Sequence, residues 1–292
     1  MCSKGKNKAK RMPSVQPIRN FIQIFIFEEY PMTRRQSTRV LEKREKLCYT
    51  FTMDKGIIIA GKDFPETRAF IKAASANGFS VITSLADDES AQIPAEPVKG
   101  FVWQKASPVS ARSFVFEAQT ALPKLTHALL IFDTLSYINK IHLRDSQSLS
   151  SGIDDLIASY MHITRELLGR FAKLGGGTLC FVFKPYSENA KFGARKEAVS
   201  PSQAFVLAAA SAFKTFAEQT ALSDAFASGI DFLLCEEDPA AENDGETADF
   251  VFSALSAAET SKNGGKSGGK KQNARWLRAG SKFSVGWNLF SR

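Results

Sequence analysis

The sequence predicts an α/β protein: a three-layer, doubly wound parallel sheet of about seven strands, covered by helices on both faces. Three observations carry this expectation. From Lys55 onward, short apolar runs alternate with segments of helical spacing, the pattern of repeated βαβ units. The runs Gly56–Ala60 (GIIIA), Ala128–Phe132 (ALLIF) and Leu179–Phe183 (LCFVF) are apolar almost throughout rather than alternating, as strands buried on both faces must be. Finally, 292 residues at 44% hydrophobic content suffice for one large core.

The elements follow in order. Gly56–Ala60 is the first strand, Pro65–Asn77 a helix stopped by Gly78, and Phe79–Thr83 the second strand. Gly100–Trp103 is a third strand, Pro108–Leu122 a helix and Ala128–Phe132 a fourth strand. In Gly152–Lys173 one stripe (Ile153, Leu156, Tyr160, Leu167, Phe171) marks a long amphipathic helix, opened by Asp154 and Asp155 and ended by Gly175–Gly177. Leu179–Phe183 is the fifth strand. The Ala-rich Ser200–Leu222 is a helix with Pro201 in its first turn, apolar on nearly every side and so expected to be buried. Ile230–Cys235 is the sixth strand, an acidic stretch becomes helical through Ala258, 261–273 is a flexible Gly/Ser/Lys linker, and Lys282–Phe290 alternates as a seventh, edge strand.

Charge is unevenly placed. Residues 1–52 hold 12 of the 38 Lys+Arg and 4 of the 30 Asp+Glu, leaving 26 of each for 53–292. The +8 excess therefore belongs to the first segment, whose composition reads as a disordered basic extension or as a mis-assigned start ahead of a true one at Met53. With no nucleic-acid-reading motif in the neutral remainder, no nucleic-acid partner is expected. Phe21–Phe27 is far shorter than the ~20 residues of a membrane span, so no membrane association is expected either and the cytoplasm is the expected compartment. Cys180 and Cys235 lie inside strand-like runs and read as reduced core residues. Scattered His127, His142 and His162, with no paired thiols, give no metal site.

This order of elements resembles the short-chain dehydrogenase/reductase family, whose Rossmann fold binds NAD(P); the resemblance covers Met53 to the C-terminus and lies in layout more than in motif. That family carries Thr-Gly-x-x-x-Gly-x-Gly in its first turn, because glycines let the backbone approach the pyrophosphate. Here the stretch reads Ala60-Gly61-Lys62-Asp63-Phe64-Pro65-Glu66-Thr67, keeping one glycine. The resemblance places cofactor contacts at Gly61, Lys62 and Asp63, at Ser84 where a ribose-reading residue falls, and at Asp133 beyond the fourth strand. The family's Asn-Asn-Ala-Gly aligns with Phe132-Asp133-Thr134-Leu135, and a helical Asn with His162. Its catalytic Tyr-x-x-x-Lys, in which Lys lowers the Tyr pKa, aligns with Val206 and Ala210, and its Ser with Phe183 or Lys184.

The resemblance thus implies an NAD(P)-binding fold with a degenerate catalytic site and cofactor binding weakened or lost. An alternative is an active oxidoreductase with a displaced acid/base from Tyr186 or Lys184, just past the fifth strand where such folds place ligands. A third reading is a non-catalytic subunit of a homo-oligomer, paired through helices 152–173 and 200–222 as in the resembled family. Each residue also has a plainer role: Gly61 as a tight-turn glycine, Asp133 as a helix cap, Lys184 and Tyr186 as a solvated loop, His162 as a packing or surface residue.

Overall fold

The computed structural model describes residues 55–86, 98–186, 199–223, 229–238, 241, 243–263 and 274–278. The chain divides into two units, Met1–Thr50 and Phe51–Arg292, and every described residue belongs to the second. The basic extension lies outside the described residues, as do the expected edge strand at 282–290 and linker residues 264–273.

Strands β1 (Lys55–Ala60), β2 (Phe79–Leu85), β3 (Val98–Val102), β4 (Leu125–Asp133), β5 (Gly177–Lys184), β6 (Ile230–Glu236) and β7 (Leu277–Arg278) form one sheet. All pairings are parallel. The order is β3-β2-β1-β4-β5-β6-β7, so the winding reverses between β1 and β4. At such a reversal the connections leave in opposite directions and open a crevice at the C-terminal ends of the strands.

Burial explains the apolar runs. Ile57, Ile58 and Ile59 of β1 and Leu129, Leu130 and Ile131 of β4 are fully buried, with alternate residues entering opposite cores. One core lies beneath α2 (Pro108–Ala121), α5 (Ser159–Leu174) and α6 (Pro201–Leu222). The other lies beneath α1 (Arg68–Ala76) and α7 (Asp244–Asn263). Phe213 of α6 anchors the first, its ring centroid 5.0 Å from Phe132, 4.9 Å from Tyr160 and 5.8 Å from Phe181. Truncating such a phenylalanine to alanine costs about 3–5 kcal/mol.

Several boundaries differ from expectation for identifiable reasons. The long helix starts earlier, at α4 (Ser146–Ile153), because Asp145 accepts from the Ser148 N–H and Ser148 Oγ from the Asp145 N–H, a reciprocal cap. Asp154 and Asp155 therefore sit not at its start but in a wider π-type turn, Asp154–Ala158, that joins α4 to α5. The stop is as expected, with Gly175 at φ 79°. Helix α3 (Thr134–Lys140), nucleated by Asp133 as N-cap, has no counterpart in the periodicity. Helix α6 is buried on one stripe, Val206, Ala209, Ala210, Phe213, Ala217, Thr220 and Ala221, and leaves Ala204, Ala208, Ser211 and Thr215 exposed. The helix is thus not buried all round, because alanines, serine and threonine on its outward face are small enough to sit in solvent at little cost. Helix α7 continues through Asn263 into the expected linker, and the seventh strand is Leu277–Arg278.

No described helix is long and apolar enough to cross a membrane.

Candidate functional site

At the C-terminal edge of the sheet, the turn from β1 to α1 is fixed from below. Gly61 adopts φ +101°, a conformation that L side chains avoid. A Cβ there would overlap the Ile131 carbonyl oxygen and lie 2.8 Å from the Tyr160 hydroxyl. The Gly61 carbonyl accepts from Tyr137 Oη at 2.8 Å and from Lys105 Nζ at 3.2 Å. Tyr160 Oη donates to the Ile131 carbonyl at 2.6 Å and lies 2.8 Å from Tyr137 Oη. Two hydroxyls have two protons for these three short contacts, so the pair is coupled. Burial raises the pKa of both phenols.

Beyond Gly61 the chain turns inward. Phe64 is buried, its N–H donating to the Ser84 carbonyl at 3.0 Å. Pro65 follows in a cis peptide and has no N–H to offer a ligand. Glu66 accepts from Ser136 Oγ at 3.0 Å and pairs with Lys140. Thr67, the N-cap of α1, turns its hydroxyl to Thr83 at 3.1 Å instead of capping the helix.

Two ion networks then span the strand ends. Over β2 and β3, Lys105 pairs with Asp63 at 2.8 Å, and Asp63 also accepts from Ser84 Oγ at 2.7 Å. Burial would lower the Lys105 pKa, but the Tyr137 hydroxyl and the Asp63 carboxylate outweigh it and hold the ammonium above the usual lysine range. Over β4, β5 and β6, Lys62 pairs with Asp133 and Asp244, both at 2.7 Å. Lys184 pairs with Asp133 at 3.3 Å, with Glu237 at 3.4 Å and more closely with Asp244. Burial opposes ionisation throughout, yet Lys184 and Lys62 hold the Asp133 and Asp244 pKa values down, and those carboxylates hold the lysines up. At Glu237 burial prevails and its pKa is raised, although the Thr247 hydroxyl donates to it.

The sequence-derived candidates are thus brought together, but mostly facing one another. Lys62 and Asp133 share an ion pair, Asp63 and Ser84 a hydrogen bond, and Gly61 carries the turn above them. Asp133 also caps α3, accepting from the Ser136 N–H at 3.0 Å. Lys184 joins the second network; half-buried Tyr186, two residues beyond β5, lies outside it. His162 is half-buried on α5, and Val206 and Ala210 belong to the core. Lys214, one turn beyond Ala210, pairs with Glu236 at 3.1 Å and lies 4.9 Å from the Phe183 ring centroid and 5.2 Å from that of Trp276. Sequence reasoning missed Lys105, Tyr137, Tyr160, Glu237 and Asp244. The available signal for Lys105, Glu237 and Asp244 was their position shortly after β3 and β6, at the ligand-facing edge. Among the described residues no group of His, Cys, Asp or Glu could hold a metal ion.

No family model matches the chain. It is 24% identical over 244 residues to an uncharacterized protein of Treponema pallidum, an alignment covering 82% of this chain and all of that protein. Among solved structures, a short-chain dehydrogenase from Mycobacterium smegmatis superposes with a TM-score of 0.55 at 14% identity, covering 79% of this chain and 93% of that one. A short-chain dehydrogenase/reductase from Burkholderia phymatum, solved in complex with NAD, gives 0.52 at 10% identity, covering 77% and 89%. With the seven-stranded parallel sheet and its reversal between β1 and β4, these likenesses establish the fold as the Rossmann fold of the short-chain dehydrogenase/reductase type.

Proposed function

We propose that this chain is a short-chain-dehydrogenase-fold protein with a degenerate catalytic site, whose cofactor crevice is bridged by its own side chains so that NAD(P) binding is weakened or lost. The observation that carries this reading is the interlocked set Lys62, Asp133, Lys184 and Asp244 across the ends of β1, β4 and β5. Any ligand entering there has to break ion pairs already desolvated. Helix α6 supports the reading: its sequence contains no tyrosine and its one lysine, Lys214, is engaged by Glu236. Nor is Lys184 suited to act as a base, since three carboxylates hold it protonated.

The test is titration of the full chain with NADH and NADPH, following nicotinamide fluorescence and melting temperature together. A cofactor at 100 times its Kd would stabilise the fold by about 2.7 kcal/mol. The expected result is no saturable binding and no melting shift at micromolar cofactor; saturation of both signals there would overturn the proposal.

We further propose a homo-oligomer paired through helices 152–173 and 200–222. Ile153 and Met161 are each 43% exposed and Leu222 51% exposed on these segments, apolar area whose burial would favour association. Light scattering that found a monomer at micromolar concentration would refute this.

A further inference from the structure

A separate cluster of aromatic and charged side chains stands where α6 meets β5 and β6. Phe183, one residue before the end of β5, and Trp276, immediately before β7, set their ring planes at 64° with centroids 6.0 Å apart. In the angle between them sits the Lys214 ammonium of α6, 4.9 Å from the Phe183 centroid and 5.2 Å from that of Trp276. The carboxylate of Glu236, the last residue of β6, lies 3.1 Å from it. The indole is fixed by its own N–H, which donates to Glu218 at 2.6 Å. Two ring faces and a carboxylate that is only 11% exposed thus enclose one cation.

That enclosure is imperfectly matched to the group filling it. A lysine ammonium is a strongly hydrated point charge with three N–H donors. Among the described residues Lys214 makes one hydrogen bond, to Glu236, and ring faces attract the cation without satisfying its other donors as water does. A quaternary ammonium group has no N–H to satisfy, and its methyl groups carry the charge directly onto ring faces. We propose that Phe183, Trp276 and Glu236 form a binding site for a quaternary ammonium group, which enters as the Lys214 ammonium turns out to solvent. The exchange conserves charge: one cation replaces another, and Glu236 keeps Arg278 beside it at 3.2 Å. The Lys214 side chain is already 29% exposed, so its flexible stem can carry the ammonium to water while α6 stays in place. The site shares no residue with the Lys62–Asp133–Lys184–Asp244 set and does not depend on the bridged crevice.

The full chain and its Lys214→Ala and Trp276→Leu variants are titrated with choline chloride, and with sodium chloride as control, at constant ionic strength by calorimetry. Wild type should bind choline saturably and show no such response to sodium. Lys214→Ala should bind choline roughly tenfold or more tighter, equivalent to about 1.4 kcal/mol, and Trp276→Leu should not bind it. No saturable binding by wild type, equal affinity in folded Lys214→Ala, or unchanged binding in folded Trp276→Leu overturns the proposal. Should a variant fail to fold, NMR of the wild type decides: the Trp276 indole N–H and the Lys214 side-chain signals shift together with choline but not with sodium, and absence of that shift overturns it. Sedimentation with phosphatidylcholine vesicles separates a lipid headgroup, for which the protein pellets, from a free ligand, for which it stays in solution; both require the response at Trp276. Failure here leaves the bridged crevice standing, whereas saturable NADH binding by the wild type removes that reading and leaves this one untouched.

Discussion

Replacing Asp133 by asparagine tests whether the ion network stabilises the fold through charge or merely fills space. The side chain is 8% exposed, accepts from Lys62 at 2.7 Å and from Lys184 at 3.3 Å, and caps α3 through the Ser136 N–H. Removing one partner of a buried pair costs about 3–5 kcal/mol, because the other charge stays buried. Asp244 remains beside both lysines and Glu237 beside Lys184, which places the loss near the lower end, about 3 kcal/mol. Asparagine retains a cap acceptor, so Asp133→Ala should lose about 1 kcal/mol more. The pH dependence has a definite sign. The folded pKa of Asp133 is depressed, its burial outweighed by Lys184 and Lys62, so its contribution is present above the unfolded value of about 3.9 and is lost as pH falls through the folded value. The Lys62 and Lys184 pKa values are raised, so their contribution is present below about 10.4 and is lost as pH rises through the folded values. The deficit of Asp133→Asn should therefore be full between about pH 4 and 10 and shrink on either side. Urea denaturation of both proteins across this range measures it. A deficit under about 0.5 kcal/mol at neutral pH, or one that persists unchanged to about pH 2, would refute the assigned role.

Three further substitutions test the turn beneath the network. Gly61→Ala forces a side chain into positive φ, about 1–2 kcal/mol, and presses a Cβ on the Ile131 carbonyl, about 1–3 kcal/mol more, so a total near 3 kcal/mol is expected by urea denaturation and a loss under about 1 would mean that the turn relaxes freely. Tyr160→Phe should cost about 1 kcal/mol, and in a double-mutant cycle with Tyr137→Phe the two should couple by more than about 0.5 kcal/mol, because two protons serve three contacts; strict additivity would show the hydroxyls to be independent.

The fold was legible because burial of both sheet faces writes itself into consecutive residues. The runs at β1, β4 and β5 are apolar since each strand lies between helices, and alternation with helical segments allows little but a parallel sheet. What periodicity missed was governed by single polar side chains. Asp133 starts α3 and Asp145 starts α4 through hydrogen bonds to N–H groups three residues on, a signal carried by one residue and not by a pattern. The site was legible only in part for a related reason. Gly61, Lys62, Asp63, Ser84 and Asp133 stand at strand ends that the topology brings together, so their proximity could be read. Whether they face a ligand or one another depends on Lys105 and Asp244, which arrive from β3 and α7 across 42 and 182 positions of sequence. No local spacing encodes that distance.

That dependence also bears on how such a site can change. Lys62, Asp133, Lys184 and Asp244 are each held in a low-dielectric setting by the others and by Glu237, so losing a lysine leaves buried carboxylates without their counter-charge, whereas exchanging the group together for apolar residues of similar volume can be neutral or stabilising. The network therefore behaves as one unit, gained or lost together. Glycines at the first turn would leave room above β1 for a ligand's backbone contacts; here the buried Phe64 side chain and the Lys62–Asp244 bridge occupy the turn and tie α7 to β1 instead. The ends of β1, β4 and β5 are thus part of what holds α7 to the sheet, and a ligand that entered between them would have to replace that connection with contacts of its own.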